Sequence, residues 1–170
     1  MRVLQNIHQI DLATFDWCLR RRHRELAVVL SRYVSRTADG PVYGVLGVVF
    51  ILLGQWHMAK LMGVTFLVER VLYLIFKSSF RRNRPAVAIP GFTSEVTPSD
   101  QFSFPSGHTS AAFLVACALS AEFPWLIWVL YPWAASVGAA RVMLGVHFPT
   151  DVMAGALLGH SICVLAMSLL

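Results

Sequence analysis

The sequence predicts an all-α fold: a polytopic transmembrane helix bundle with about five spanning helices and an N-terminal amphipathic surface helix. Three observations predict it. The 170 residues are 56% hydrophobic and only 14% charged, with a mean hydropathy of +0.62. That leaves too little polar material to cover a water-soluble domain, whereas lipid solvates an apolar exterior. The apolar residues also gather into separate long runs, bounded by proline, glycine or charged residues. The length suits one domain, residues 1–170, embedded in the membrane.

Residues 11–38 mix apolar and basic side chains. Leu12, Phe15, Leu19, Leu26, Val29, Leu30, Tyr33 and Val34 recur at helical spacing with arginines between them. Charges interrupt this stretch too often for it to cross a bilayer, so it reads as one amphipathic helix on the membrane surface. Asp39-Gly40-Pro41 ends it. Residues 42–57 and 58–76 are the first two spanning candidates, and a short link near residues 55–60 folds them into an antiparallel hairpin. Glu69 and Arg70 inside the second are costly in lipid and read as a structural ion pair turned toward the bundle.

Residues 77–104 form the one long polar connection, rich in arginine and broken by Pro85, Pro90, Gly91 and Pro98. Connections this long without regular structure usually serve function. Residues 106–123 are the third apolar run, and residues 124–144 are the fourth, with Pro132 as an expected kink. The fifth extends from about residue 150 and carries Gly155 and Gly159, a small-residue helix contact.

A net charge of +5 would ordinarily raise nucleic acid as a partner. The arginines argue otherwise. Arg2, Arg20, Arg21, Arg22, Arg24, Arg32 and Arg36 all precede the first long apolar run, and most other cations lie in the polar connection. Such clusters beside apolar runs read as topology signals or anion contacts at a membrane surface, so no nucleic-acid partner is expected. Cys18, Cys117 and Cys163 lack metal or redox spacing and read as small buried hydrophobes. The N-terminus has no apolar stretch of signal-peptide type, so targeting is expected from the internal segments.

Three clusters lie where the apolar runs end. Lys77 to Arg84-Pro85 follows the second run, Pro105-Ser106-Gly107-His108 opens the third, and Arg141 to His147 and Asp151 bridges the fourth and fifth. Folded up and down, the runs bring all three clusters to the same side of the membrane. Cations crowded beside apolar helices are expensive unless an anion binds among them. Arginine offers a planar fork to phosphate oxygens and lysine a point charge. Ser106 and Gly107 sit at a helix start, where free N–H groups favour an anion. His147 and Asp151, four residues apart, can share a helix face, so the carboxylate can orient the imidazole. Arg81 and Arg82 read instead as anchors for lipid headgroups.

These clusters resemble the three-part signature of the type 2 phosphatidic acid phosphatase family: Lys-x6-Arg-Pro, Pro-Ser-Gly-His, and Ser-Arg-x5-His-x3-Asp. Lys77, Arg84 and Pro85 match the first part, Pro105 to His108 the second, and Arg141, His147 and Asp151 the third. Ala140 departs from the family's serine, which puts one secondary hydrogen bond in doubt. The resemblance implies hydrolysis of a lipid phosphomonoester or diphosphate without metal or other cofactor. In that scheme His147 is the nucleophile that forms a phosphohistidine, Asp151 orients it, and His108 is the general acid. Lys77, Arg84, Ser106, Gly107 and Arg141 hold the phosphoryl oxygens. Phosphatidic acid, phosphatidylglycerophosphate and polyprenyl phosphate or diphosphate are the candidate substrates. The expected location is integral to a bacterial inner membrane, among its lipids. The vanadium haloperoxidases share this pocket, but as soluble-type proteins. A phospholipid-binding membrane protein that kept the pocket without turnover is the non-enzymatic alternative.

Orientation follows from charge. In the family the pocket usually opens away from the cytoplasm, yet five spanning helices put this pocket on the side of the N-terminal arginines. Excess Lys and Arg marks the cytoplasmic side, so a cytoplasm-facing pocket is predicted. Single cysteines at Ser94 or Ser99, in a background without Cys18, Cys117 and Cys163, should resist a membrane-impermeant thiol reagent in intact cells. Labelling there would restore the family's usual orientation.

Overall fold

A computed structural model describes residues 2–20 and 24–169. Its helices are α1 (Arg2–Leu19), α2 (Arg24–Arg36), α3 (Gly40–Leu52), α4 (Trp56–Phe80), α5 (Pro85–Ala88), α6 (Gly107–Glu122), α7 (Ile127–Met143) and α8 (Pro149–Leu169). A 3-10 turn at Pro124–Leu126 leads into α7, which runs through Pro132 without a break. Among the described residues there is no strand, only an isolated bridge between Asn83 and Phe102.

Helices α3, α4, α6, α7 and α8 fall on the five apolar runs. The segments Pro124–Met143 and Pro149–Leu169, with mean hydropathy 1.3 and 1.9, are long and apolar enough to cross a membrane by length and composition. Helix α3 has 13 residues, which is about 20 Å at 1.5 Å per residue. Gly54, at φ 69°, turns the chain from α3 into α4. Helix α4 continues beyond the expected end of its run to Phe80, so Lys77 sits on its last turn and not in an irregular connection. Arg81, at φ 45°, ends the helix by donating its N–H to Lys77 O.

Two expectations need correction. The N-terminal stretch is two helices, not one on the surface. The first helix ends at Leu19 and the second begins at Arg24, and residues 21–23, with Arg21 and Arg22, lie outside the described residues. Phe15 packs against Phe92 and Phe148, and Val28 against Leu144 and Val146, so both helices dock on one end of the bundle. The apolar residues read as membrane-facing, Leu26, Val29, Leu30 and Tyr33, do point outward. Glu69 and Arg70 form no ion pair either. Adjacent helical positions face different ways: Glu69 is buried, while Arg70 is exposed with its guanidinium 5.1 Å from the centre of the Tyr73 ring.

Helix α6 is the axis of the bundle, packed by α4, α7 and α8, and Ala112, Leu114, Ala116 and Ala118 are wholly buried on it. Leu67, Leu74, Trp128, Leu157 and Leu165 face outward, giving the bundle an apolar exterior. Gly155 and Gly159 make the predicted small-residue contact, which proves to be with α6. A Cβ at Gly159 would stand 1.9 Å from Ser110 O, and one at Gly155 would stand 2.5 Å from Ser106 O. Such close approach is how helices associate where lipid removes the hydrophobic drive between them. Gly159→Ala should therefore cost on the order of 1–3 kcal/mol and lower the melting temperature in detergent. Gly44→Ala, where a Cβ meets nothing within 4 Å, should leave it unchanged.

Candidate active site

The three clusters meet at the end of the bundle where α4 stops and α6 and α8 begin. Lys77 and Arg84 are buried and share one partner. Lys77 Nζ donates to Asp100 Oδ1 at 2.7 Å and also to Phe102 O. Arg84 donates through Nη2 to the same Oδ1 at 2.8 Å and through Nη1 to Val146 O at 2.7 Å. Tyr73, one turn before Lys77, donates to Asp100 Oδ2 at 2.5 Å. Arg84 precedes a proline, which holds it extended at ψ 159° and aims it back across the site. Burial would raise the Asp100 pKa, but hydrogen bonds from Lys77, Tyr73 and Arg84 outweigh it and hold the carboxyl well below its usual range.

Ser106 is the N-cap of α6, but its hydroxyl bonds Thr109 Oγ1 at 2.9 Å and caps nothing. The first N–H groups of α6 therefore remain open donors at a positive helix end. Gly107 lies so close to Tyr73 that a Cβ would meet the ring at 2.9 Å. His108 Nε2 is 3.0 Å from Asp39 Oδ1, between α2 and α3. Arg141 donates through Nη1 to Ser35 Oγ of α2 at 2.9 Å, and its Nε has no partner. Ala140, where the signature has serine, is buried beside it.

Gly145, at φ 74°, makes the turn after α7 that presents His147. His147 is buried, with Nδ1 3.8 Å from Asp151 Oδ2. That distance allows attraction but is too long for a hydrogen bond. Asp151 spends its oxygens elsewhere: Oδ2 accepts the Phe148 N–H at 2.8 Å and Oδ1 accepts Arg82 Nη1 at 2.7 Å. Burial is the main cause that lowers the His147 pKa to about 4, with Arg84 and Arg141 adding to it and Asp151 opposing. His147 is therefore neutral at pH 7.

The eight residues predicted for the site thus reach one place. The sequence missed several others. Arg82 is no headgroup anchor: it also bonds Thr150 Oγ1 at 2.7 Å and Asp11 Oδ2 at 2.5 Å, and its guanidinium stacks on Phe148. Asp11 accepts the Thr150 N–H as well, tying α1 to the start of α8. Tyr73 was detectable, because it stands one turn from Lys77 on the same face. Nothing in the sequence pattern marks Asp11. Above the site, Arg32, Arg36, Asp39, Thr97, His108 and Arg141 line a cavity of about 480 Å³. Arg24 and Arg32 pair there with Glu95. Three of the seven N-terminal arginines thus serve this cavity, which removes them from the charge count behind the orientation.

The family model for the PAP2 superfamily matches residues 58–170, from α4 through α8. The chain belongs to this superfamily. Undecaprenyl-diphosphatase of Sulfolobus acidocaldarius is 34% identical over 108 residues, covering 62% of this chain and 52% of that protein. The chain spans about half the length of the curated relatives it matches. Aquifex aeolicus LpxE superposes with a TM-score of 0.82 at 29% identity, covering 92% of this chain and 94% of that one. The transmembrane PAP2-type phosphatidylglycerolphosphate phosphatase of Bacillus subtilis gives 0.80 at 25%, covering 96% and 86%. The PAP2 fold, an all-helical bundle resembling transmembrane phosphatases, therefore includes α1 to α3, although the family model begins after them.

Arg82→Ala in this PAP2 protein should lower both melting temperature and turnover, since its loss leaves the buried Asp11 and Asp151 short of a charged partner. We expect a cost of about 3 kcal/mol or more in stability. Arg81→Ala should change neither measurably, because Arg81 is exposed and its side chain bonds Ser78 O within its own last turn.

Proposed function

We propose that this chain is an integral-membrane lipid phosphatase acting through a phosphohistidine, and that α3, α4, α6, α7 and α8 cross the bilayer of a bacterial inner membrane. The observation that carries the reading is the pairing of Lys77 and Arg84 around one carboxylate, Asp100, beside His147, His108 and Arg141. An anion already occupies the donors that a phosphoryl group would use. The family and its relatives support a lipid phosphate as that group.

In the proposed reaction His147 attacks phosphorus through Nε2, the nitrogen away from Asp151. An N–P bond forms as the P–O bond to the lipid breaks. His108 gives its proton to the departing oxygen. Water then attacks phosphorus while His108 takes the water's proton, the N–P bond breaks, and inorganic phosphate leaves. Lys77, Arg84, Arg141, the Ser106 hydroxyl and the N–H of Gly107 offset the charge on the equatorial oxygens. As the imidazole gains positive character, its attraction to Asp151 grows, and the 3.8 Å gap should close.

The test is phosphate release from purified lipid phosphates in detergent. Turnover should survive a chelator and fall with vanadate, and a need for added Mg²⁺ would overturn the mechanism. His147→Ala and His108→Ala should each lose at least about a hundredfold in kcat. Covalently bound phosphate should be trapped only when His147 is present. Because the folded His147 pKa is about 4, its protonation should remove activity only below about pH 4, seen as the acid limb of kcat/KM.

A further inference from the structure

A second cleft, of about 600 Å³, lies between α3 and α4. Ser99 and His108 line both this cleft and the cavity around Arg141, so the two adjoin there. From His108 it runs past Gly44 and Gly47 of α3 and Met62 and Gly63 of α4. These glycines hold no helix contact, since a Cβ at Gly40, Gly44, Gly47 or Gly63 would meet nothing within 4 Å. They leave room.

Two buried polar groups in this wall lack full hydrogen bonding. Tyr43 is 8% exposed and Glu69 is 3% exposed, and both line the cleft. Neither the Tyr43 hydroxyl nor Glu69 Oε1 has a hydrogen-bond partner. Ser110 of α6 is the one neighbour close enough to interact with the Glu69 carboxyl, and it leaves Oε1 unsatisfied. Arg70 is exposed and also lines the cleft, where its charge acts on Glu69 without forming a close ion pair. Unpaired polar groups at membrane depth are expensive and rare, and those retained mark functional positions.

Their depth is informative. Glu69, Tyr73 and Lys77 follow one another at four-residue spacing on the buried face of α4. Glu69 is therefore about 6 Å along the axis from Tyr73 and about 12 Å from Lys77. The Tyr73 ring lies against Gly107, so Glu69 stands about one turn below the level of His108. A lipid whose phosphate sits among Lys77, Arg84 and His108 would bring the first atoms beyond its phosphate to Tyr43 and Glu69.

We propose that Tyr43 and Glu69 are specificity residues that read the linker between phosphate and hydrocarbon. The preferred substrate is then a lipid phosphate with an oxygen-rich linker, a glycerol ester or an acylated sugar. A polyprenyl phosphate or diphosphate, whose chain begins as bare hydrocarbon, is disfavoured. This inference rests on the lipid phosphatase reading above and names its substrate class. The phenol can donate to an ester carbonyl, and the carboxylate can accept from a hydroxyl. Sites built to hydrogen-bond a substrate reject analogues that lack the group, because their own polar atoms then stay buried and unpaired.

The experiment compares dioleoyl phosphatidic acid, an acylated glucosamine 1-phosphate and farnesyl phosphate as substrates of the purified full chain in mixed micelles. Wild type should prefer one or both oxygen-rich lipids, and the first two arms separate glycerol from sugar. Tyr43→Phe and Glu69→Gln keep the shape of the side chains. Each should lower kcat/KM for the preferred lipid about tenfold through KM, the equivalent of one lost hydrogen bond. Farnesyl phosphate turnover should change less than twofold, which also shows that the variants are folded. Equal losses on every substrate, no loss on any, or a wild-type preference for farnesyl phosphate would each overturn the proposal. No phosphate release from any lipid by wild type would instead overturn the phosphatase reading on which it rests.

Discussion

The N–H of Ser106 donates to Asp151 O at 3.0 Å, and the candidate site depends on that bond. It joins the Pro-Ser-Gly-His segment to the helix that carries Asp151, two stretches far apart in sequence. The bond requires α6 and α8 to touch backbone to backbone. Gly155 and Gly159 permit this, because any side chain there would strike Ser106 O or Ser110 O. In a membrane the hydrophobic effect does not press helices together, so the contact must come from close packing and polar bonds. The glycines and the Ser106 bond supply both. The approach that holds the bundle together thus also sets the distance between the open N–H groups of α6 and His147.

Charge balance is the second constraint. Lys77, Arg84 and Arg141 are buried together, and their mutual repulsion needs compensation even without substrate. Asp100 supplies it for Lys77 and Arg84, while Arg141 keeps one N–H unpaired. Under the proposed function, a phosphoryl group entering the site would compete with Asp100 for the same donors, and the displaced carboxylate could turn outward because it is only half-buried. Arg82 works on the opposite side. It links Asp11, Thr150 and Asp151, so the carboxylate nearest His147 is fixed before any substrate arrives.

The sequence was most legible where local chemistry decides the outcome. Apolar runs and their Pro, Gly and charged boundaries placed the five long helices to within a few residues. The signature residues at the helix ends pointed to one shared site. The sequence failed where the deciding partner lies far along the chain. Arg82 looks like its neighbour Arg81 in sequence, and only the distant Asp11 and Asp151 separate a strut from an exposed side chain. Glu69 and Arg70 look like a pair because they are adjacent, yet helix geometry turns one inward and the other out. The break between α1 and α2 is invisible to periodicity, since both halves keep helical spacing. What fixes it is docking of Phe15 and Val28 against Phe148 and Val146, contacts that no local pattern encodes.

Docked in this way, α2 reverses the usual relation between a surface helix and its protein. Its apolar residues Leu26, Val29, Leu30 and Tyr33 face outward, while Arg24, Arg32 and Ser35 turn toward Glu95 and Arg141. A helix with that distribution is stable only where its outer face meets lipid and its inner face meets charge. Under the proposed function, the roof of the phosphate site would then also be an element turned toward lipid. In the proposed bilayer placement, lipid headgroups would lie level with the cations of the site, and the cleft between α3 and α4 would lead from that level into the apolar layer. A lipid phosphate can then keep its charge among cations and its chains among apolar side chains throughout, without drawing either into the wrong solvent.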